Sequence, residues 1–166
     1  METAPSTLAA TQLLLLLAVL IPAIFFLITQ QNTLKAVLPE NRLMHPGLVW
    51  LQLIPLFNYI WQFIVITRIA GSIRRQLASR HADSIFGADA AIADGTSRRP
   101  TQGIGIAYAT LFTLLVPINL FQDVAGRPND SLLLGLVALG NMVCWIIYWV
   151  QLVQFKNKLK RTLAIG

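Results

Sequence analysis

Two side-chain amides four residues apart, Asn58 and Gln62, lie inside one apolar run, and Asn141, Tyr148 and Gln151 lie inside another. On a helix, residues four apart share a face, and so do residues seven and then three apart. Asn119, Gln122 and Asp123 share a face of the run between them. Apart from Asp123, these groups are uncharged and give and accept hydrogen bonds. In a bilayer they bond helix to helix, at about 0.6–2 kcal/mol each, or line a path for a polar solute. The candidate polar seam is Asn58, Gln62, Asn119, Asn141, Tyr148 and Gln151, and both uses stay open.

Ionisable groups deep inside a membrane helix mark proton or ion paths. Here none lies mid-run: Arg68 and Asp123 are near run ends. That pattern argues against a simple proton-coupled antiporter. The two histidines, His45 and His81, flank opposite ends of one run, so they cannot be paired ligands of one haem. His45 beside Met44 lacks the further ligands of a closed metal site. No G-x-S-x-G, H-E-x-x-H, Walker or C-x-x-C pattern occurs. The lone Cys144 cannot close an intramolecular disulfide and suits packing as a small hydrophobe. No enzymatic activity, cofactor or metal is expected.

These groups need a scaffold, and composition identifies its solvent. Of 166 residues, 55% are hydrophobic and 12% charged, against roughly 25% charged in soluble domains. The mean hydropathy is +0.63. The net charge of +6 comes without the basic stripe and interleaved aromatics of a nucleic-acid binder. Basic residues beside cytoplasmic helix ends account for it.

Four runs are long enough for spans of ~20 residues. The first covers 8–29. It lacks a basic flank before it and an A-x-A-like site after it, so it reads as an uncleaved span rather than a signal peptide; Pro22 can be accommodated within it. The second covers 47–69, opening after Pro46-Gly47 and continuing as an amphipathic helix through Ile69, Ile73 and Leu77. The third covers 104–122 and contains Pro117. The fourth covers 132–155, with Trp145, Tyr148 and Trp149 toward one end, where aromatic rings favour the interface.

Placing the N-terminus inside puts Arg68, Arg74, Arg75, Arg80, Arg98, Arg99, Lys156, Lys158, Lys160 and Arg161 on the cytoplasmic side. Lys35, Arg42 and Arg127 then lie opposite. That split favours two hairpins, N-in and C-in. Residues 76–102, rich in Ala, Gly, Ser and Asp, read as a flexible cytoplasmic loop. Pro22 and Pro117, Asn58 and Asn141, and the basic runs SIRRQL and KNKLKR hint at two parallel repeats, as do the shared demands of a bilayer.

The stretches NRLMHPGLVWLQLIPLFNYIWQFIVITRIAGSIRRQL (41–77) and NMVCWIIYWVQLVQFKNKLKR (141–161) resemble a group of small uncharacterised bacterial membrane proteins. The group's marks are P-G-x-V-W, I-P-L-F-N, C-W-I-I-Y-W and K-x-K-L. The resemblance covers about a third of the chain. It implies four spans in a bacterial cytoplasmic membrane and supplies no activity or site residue.

The expectation is an all-α, multi-pass membrane protein acting through helix and lipid contacts, or as an accessory subunit of a membrane assembly. The alternative is a small homo-oligomeric transporter or channel built on the seam. Membrane lipids are the expected partners, with Arg74, Arg75, Lys156, Lys158, Lys160 and Arg161 able to hold anionic headgroups.

Overall fold

A computed structural model describes residues 5–82, 101–124 and 132–164. The expected loop lies outside the described residues from 83 to 100, as do the turn at 125–131 and the side chains of Arg80, His81, Asn119, Gln122 and Asp123. Four helices carry the fold: α1 (Pro5–Lys35), α2 (Pro55–Ala82), α3 (Gln102–Val124) and α4 (Leu132–Ala164). Two short 3-10 helices, Pro39–Asn41 and Pro46–Leu53, lie between α1 and α2. Among the described residues there is no strand. Three helices are long and apolar enough to cross a membrane, over Ala9–Lys35, Pro55–Ser79 and Leu132–Arg161, and α3 has a shorter apolar stretch, Gln102–Ile118.

The second apolar run is not one helix. Proline cannot donate a backbone bond, and it pushes the residue before it out of the α region. Ile54, before Pro55, is extended (φ −81°, ψ 111°). Pro55 then occupies the first helical position, where a missing N–H costs nothing, and Asn58 N bonds Ile54 O at 2.8 Å. Upstream, Pro46–Leu53 winds as a 3-10 helix, and the imidazole Nδ1 of His45 accepts from Gly47 N at 3.1 Å. The helix expected from Gly47 therefore begins at Pro55.

The direction of α2 also departs from expectation. Phe26 of α1 meets Tyr148 of α4, ring centroids 5.9 Å apart. Ile66 of α2 and Tyr148 both abut Gly105 of α3. These residues share one level of the bundle. Beyond it, α1 ends at Lys35 and Leu38 N donates to Gln76 Oε1 at 2.8 Å. In an antiparallel pair, Lys35 and Gln76 would stand roughly 28 Å apart at 1.5 Å per residue. Three residues bridge about 10 Å, so α1 and α2 run in the same sense. The first two helices are not the antiparallel hairpin expected of them, because residues 36–54 carry the chain back before α2 starts.

From Gly105 beside Ile66, α3 descends to Thr113 beside Gln62, against the sense of α2. It forms an antiparallel hairpin with α4, whose Tyr148 returns to Gly105. The two halves thus have different topologies, which removes the structural basis for a repeat. Lys35 and Arg42 lie at the same end as Arg74 and Arg75, because Asn41 donates to Gln76 and Ser79. The sequence-based sorting of charges had put them on the opposite side.

The core gathers Phe26, Leu34, Val37, Val49, Ile66, Ile69, Ile73, Tyr148, Leu152 and Leu159. It lies mainly in the half of the bundle toward Lys35 and Ala82. In the other half, Leu14, Val19, Leu56, Phe121, Leu132 and Leu136 face outward.

Candidate functional site

Two polar columns flank α3. On α2, Gln62 is 1% exposed; its Nε2 donates to Thr113 Oγ1 at 3.0 Å and to Ala109 O at 3.5 Å. Asn58 is one turn earlier on the same face. On α4, Tyr148 is fully buried, stacked on Tyr108 at 6.4 Å and edge-on to Phe26. Asn141 and Gln151 lie two turns before and one turn after it, along the same face.

Close approach of α2, α3 and α4 depends on Gly105. A Cβ there would lie 2.7 Å from Ile66 Cγ2 and 2.9 Å from Tyr148 Cε2. Among the described residues, hydrogen bonds between the helices satisfy only Gln62 Nε2 of the α2 column. Asn58 Oδ1, Gln62 Oε1, Asn141 Oδ1, Tyr148 Oη and Gln151 Oε1 are buried and have no partner among the described residues. A buried polar group without a partner costs about 1–3 kcal/mol. Each described member of the sequence-derived seam thus has a buried polar atom that no other described residue satisfies. Among the described residues the columns do not bond to each other, and the side chain of Asn119 lies outside the described residues.

A second polar cluster went unrecognised in the sequence, and it fastens the 36–53 segment. Gln52 Nε2 donates to Gln30 Oε1 at 2.6 Å, and Trp50 Nε1 to Gln31 Oε1 at 3.2 Å. Leu43 N donates to Ser72 Oγ at 2.9 Å, and Ser72 Oγ donates onward to Arg68 O at 2.7 Å. Arg42 donates to Val37 O and Lys35 O at 2.8 and 3.1 Å. It thereby meets carbonyls freed at the end of α1, where a cation also suits the helix dipole. The legible signals were the QQN run at 30–32 and the spacing of Ser72, Gln76 and Ser79.

Trp149 Nε1 donates to Thr29 Oγ1 at 2.9 Å, joining α4 to α1 just above Phe26. The headgroup candidates occupy this same end. Arg75, Lys158, Lys160 and Arg161 are exposed, and Arg74 and Lys156 half-buried. Glu40 is the one acidic side chain among the described residues. Beside it, Pro39, Arg42, Leu43, Met44, His45 and Pro46 line an open depression of about 350 Å³. Its only histidine already uses Nδ1 to hold Gly47.

A scan of protein-family models and searches of curated proteins and of solved structures found no match to this chain.

Proposed function

We propose that this chain is a non-enzymatic component of a bacterial cytoplasmic membrane, acting through helix and lipid contacts as an accessory subunit of a larger assembly. The observation that carries this reading is the outer surface of α4. Leu132, Leu133, Leu136, Leu139, Met142, Val143, Ile146, Ile147 and Val150 all face away from the rest of the chain. Positions 135 and 140 are glycines around which a Cβ would meet nothing within 4 Å. Small residues on an open apolar helix allow close approach of a second helix. Native mass spectrometry from the mildest workable detergent tests the reading. A reproducible foreign subunit is the expected result; a monomer carrying only lipid would count against it.

The unpartnered polar atoms favour a second reading, a small homo-oligomeric transporter or channel in which the two columns line the path. Four helices leave little room for an aqueous path in one copy, so this reading requires a stable homo-oligomer. Flux into vesicles should then fall in Asn58→Leu and Asn141→Leu while assembly persists. Loss of assembly instead assigns those amides to helix contacts. The basic residues at the Gln76 end support a headgroup-binding role on either reading.

A further inference from the structure

We infer that the chain crosses the bilayer three times, through α1, α3 and α4, with its N-terminal end outside, and that residues 46–66 form a re-entrant element that enters and leaves from the basic, cytoplasmic side. The inference rests on the membrane reading above and adds a topology that hydropathy alone does not contain.

The lengths agree first. At 1.5 Å per residue, residues 9–28 of α1, 105–124 of α3 and 132–150 of α4 each measure about 28–30 Å, the thickness of the hydrocarbon layer. Their inner ends share the level of Phe26, Gly105 and Tyr148. On α2, only residues 55–66 lie below that level, about 17 Å. The helix therefore starts near the middle of the layer and leaves it at Arg68, which is exposed and donates to Leu43 O at 3.5 Å.

A full crossing by α2 in the same sense as α1 would require residues 36–54 to traverse the whole bilayer. That segment is short and not α-helical, and backbone left open to lipid is prohibitive. A partial dip is compatible with its bonding. Pro46–Leu53 makes 3-10 bonds internally, Val49 is fully buried, and Gln52 and Trp50 reach the glutamines of α1. The side chains at its turning point, Leu53, Ile54, Leu56, Phe57 and Ile60, are exposed and wholly apolar. They continue the outward apolar belt of α1, α3 and α4, so lipid acyl chains are their fitting neighbours.

Charge sets the orientation. Lys35, Arg42, Arg74 and Arg75 share one end, and α4 carries Lys156–Arg161 toward it. Arg127, between α3 and α4, is the one basic residue assigned opposite. This separation is sharper than the one that two hairpins produce, and it puts the basic end in the cytoplasm.

Single cysteines at Thr3→Cys, Glu40→Cys and Gly166→Cys, each in a Cys144→Ser background, can be probed with a membrane-impermeant maleimide. Position 3 should label in intact cells, and positions 40 and 166 only after permeabilisation. Labelling of position 40 but not 166 in intact cells would restore a second full crossing and overturn the inference. An unlabelled position 3, or outside labelling of both 40 and 166, would overturn the orientation. A nitroxide at Leu56→Cys should report near-midplane depth, and an interfacial depth would remove the re-entrant element. Release of the unmodified protein by alkaline carbonate would instead sink the membrane reading itself.

Discussion

Gln52 Nε2 lies 2.6 Å from Gln30 Oε1, and this bond fastens the segment between α1 and α2 to the flank of α1. Gln30 is 1% exposed, so its oxygen has no ready access to water. Gln52→Ala should therefore lower stability by about 1–3 kcal/mol, the cost of a stranded buried acceptor. The double change Gln30→Leu with Gln52→Leu should cost less than Gln52→Ala, because it strands nothing. Thermal unfolding in detergent reads both; equal losses would mean that the bond contributes little.

Gln76 supports the same segment from the other side. Its Oε1 accepts from Leu38 N and Asn41 Nδ2 at 2.8 and 3.2 Å. Gln76→Ala should cost about 1–3 kcal/mol and speed proteolysis between residues 36 and 45. Gln76→Glu keeps the acceptor and should protect that stretch better than alanine. Limited proteolysis with mass mapping separates the two, and identical cleavage would leave Gln76 without a fastening role.

The helices were legible because apolar runs of twenty residues have few other solutions. The direction of α2 was not. PGLVWLQLIP is apolar throughout, so hydropathy merges it with the helix that follows, although Pro46 and Pro55 bracket a unit that cannot continue as α-helix. The same-sense path depends on Leu38 meeting Gln76, a contact 38 residues apart that no local pattern encodes. The seam was legible for the opposite reason. Helical spacing alone aligns Asn58 with Gln62 and Tyr148 with Gln151, whatever the helices do next. Which atoms remain without partners depends on packing around Gly105.

Gly105 gives a sharp test of that packing. Gly105→Ala puts a methyl against Ile66 and the ring of Tyr148. Tyr148 is held by Phe26 and Tyr108 and has little room to yield. Overpacking of this kind costs about 1–3 kcal/mol. Ile66→Ala removes the Cγ2 that the new methyl meets, so the double variant should lose less than the sum of the two single changes. Gly103→Ala is the control, since nothing lies within 4 Å of its added carbon; it should be neutral or gain up to about 1 kcal/mol from helix propensity. If both alanine variants melt alike, the close approach at Gly105 is not limiting.

Tyr148→Phe decides what the unpartnered atoms mean. The hydroxyl is buried, and no group among the described residues bonds it. If the chain alone is the functional unit, removing this oxygen relieves a desolvation penalty, and stability should be unchanged or rise by about 1 kcal/mol. The ring contacts with Phe26 and Tyr108 remain, so packing is conserved. The measurement should be made twice, in detergent on the isolated chain and in native membrane by thermal aggregation. The isolated chain should follow the desolvation argument. A loss of stability confined to the native membrane would mean that the hydroxyl bonds a group supplied there. Gln62→Met, which removes another unpartnered oxygen along with the bond to Thr113, should then lose more in membrane than in detergent. Matching gains for Tyr148→Phe in both settings would make the columns a packing feature and weaken the conduit reading.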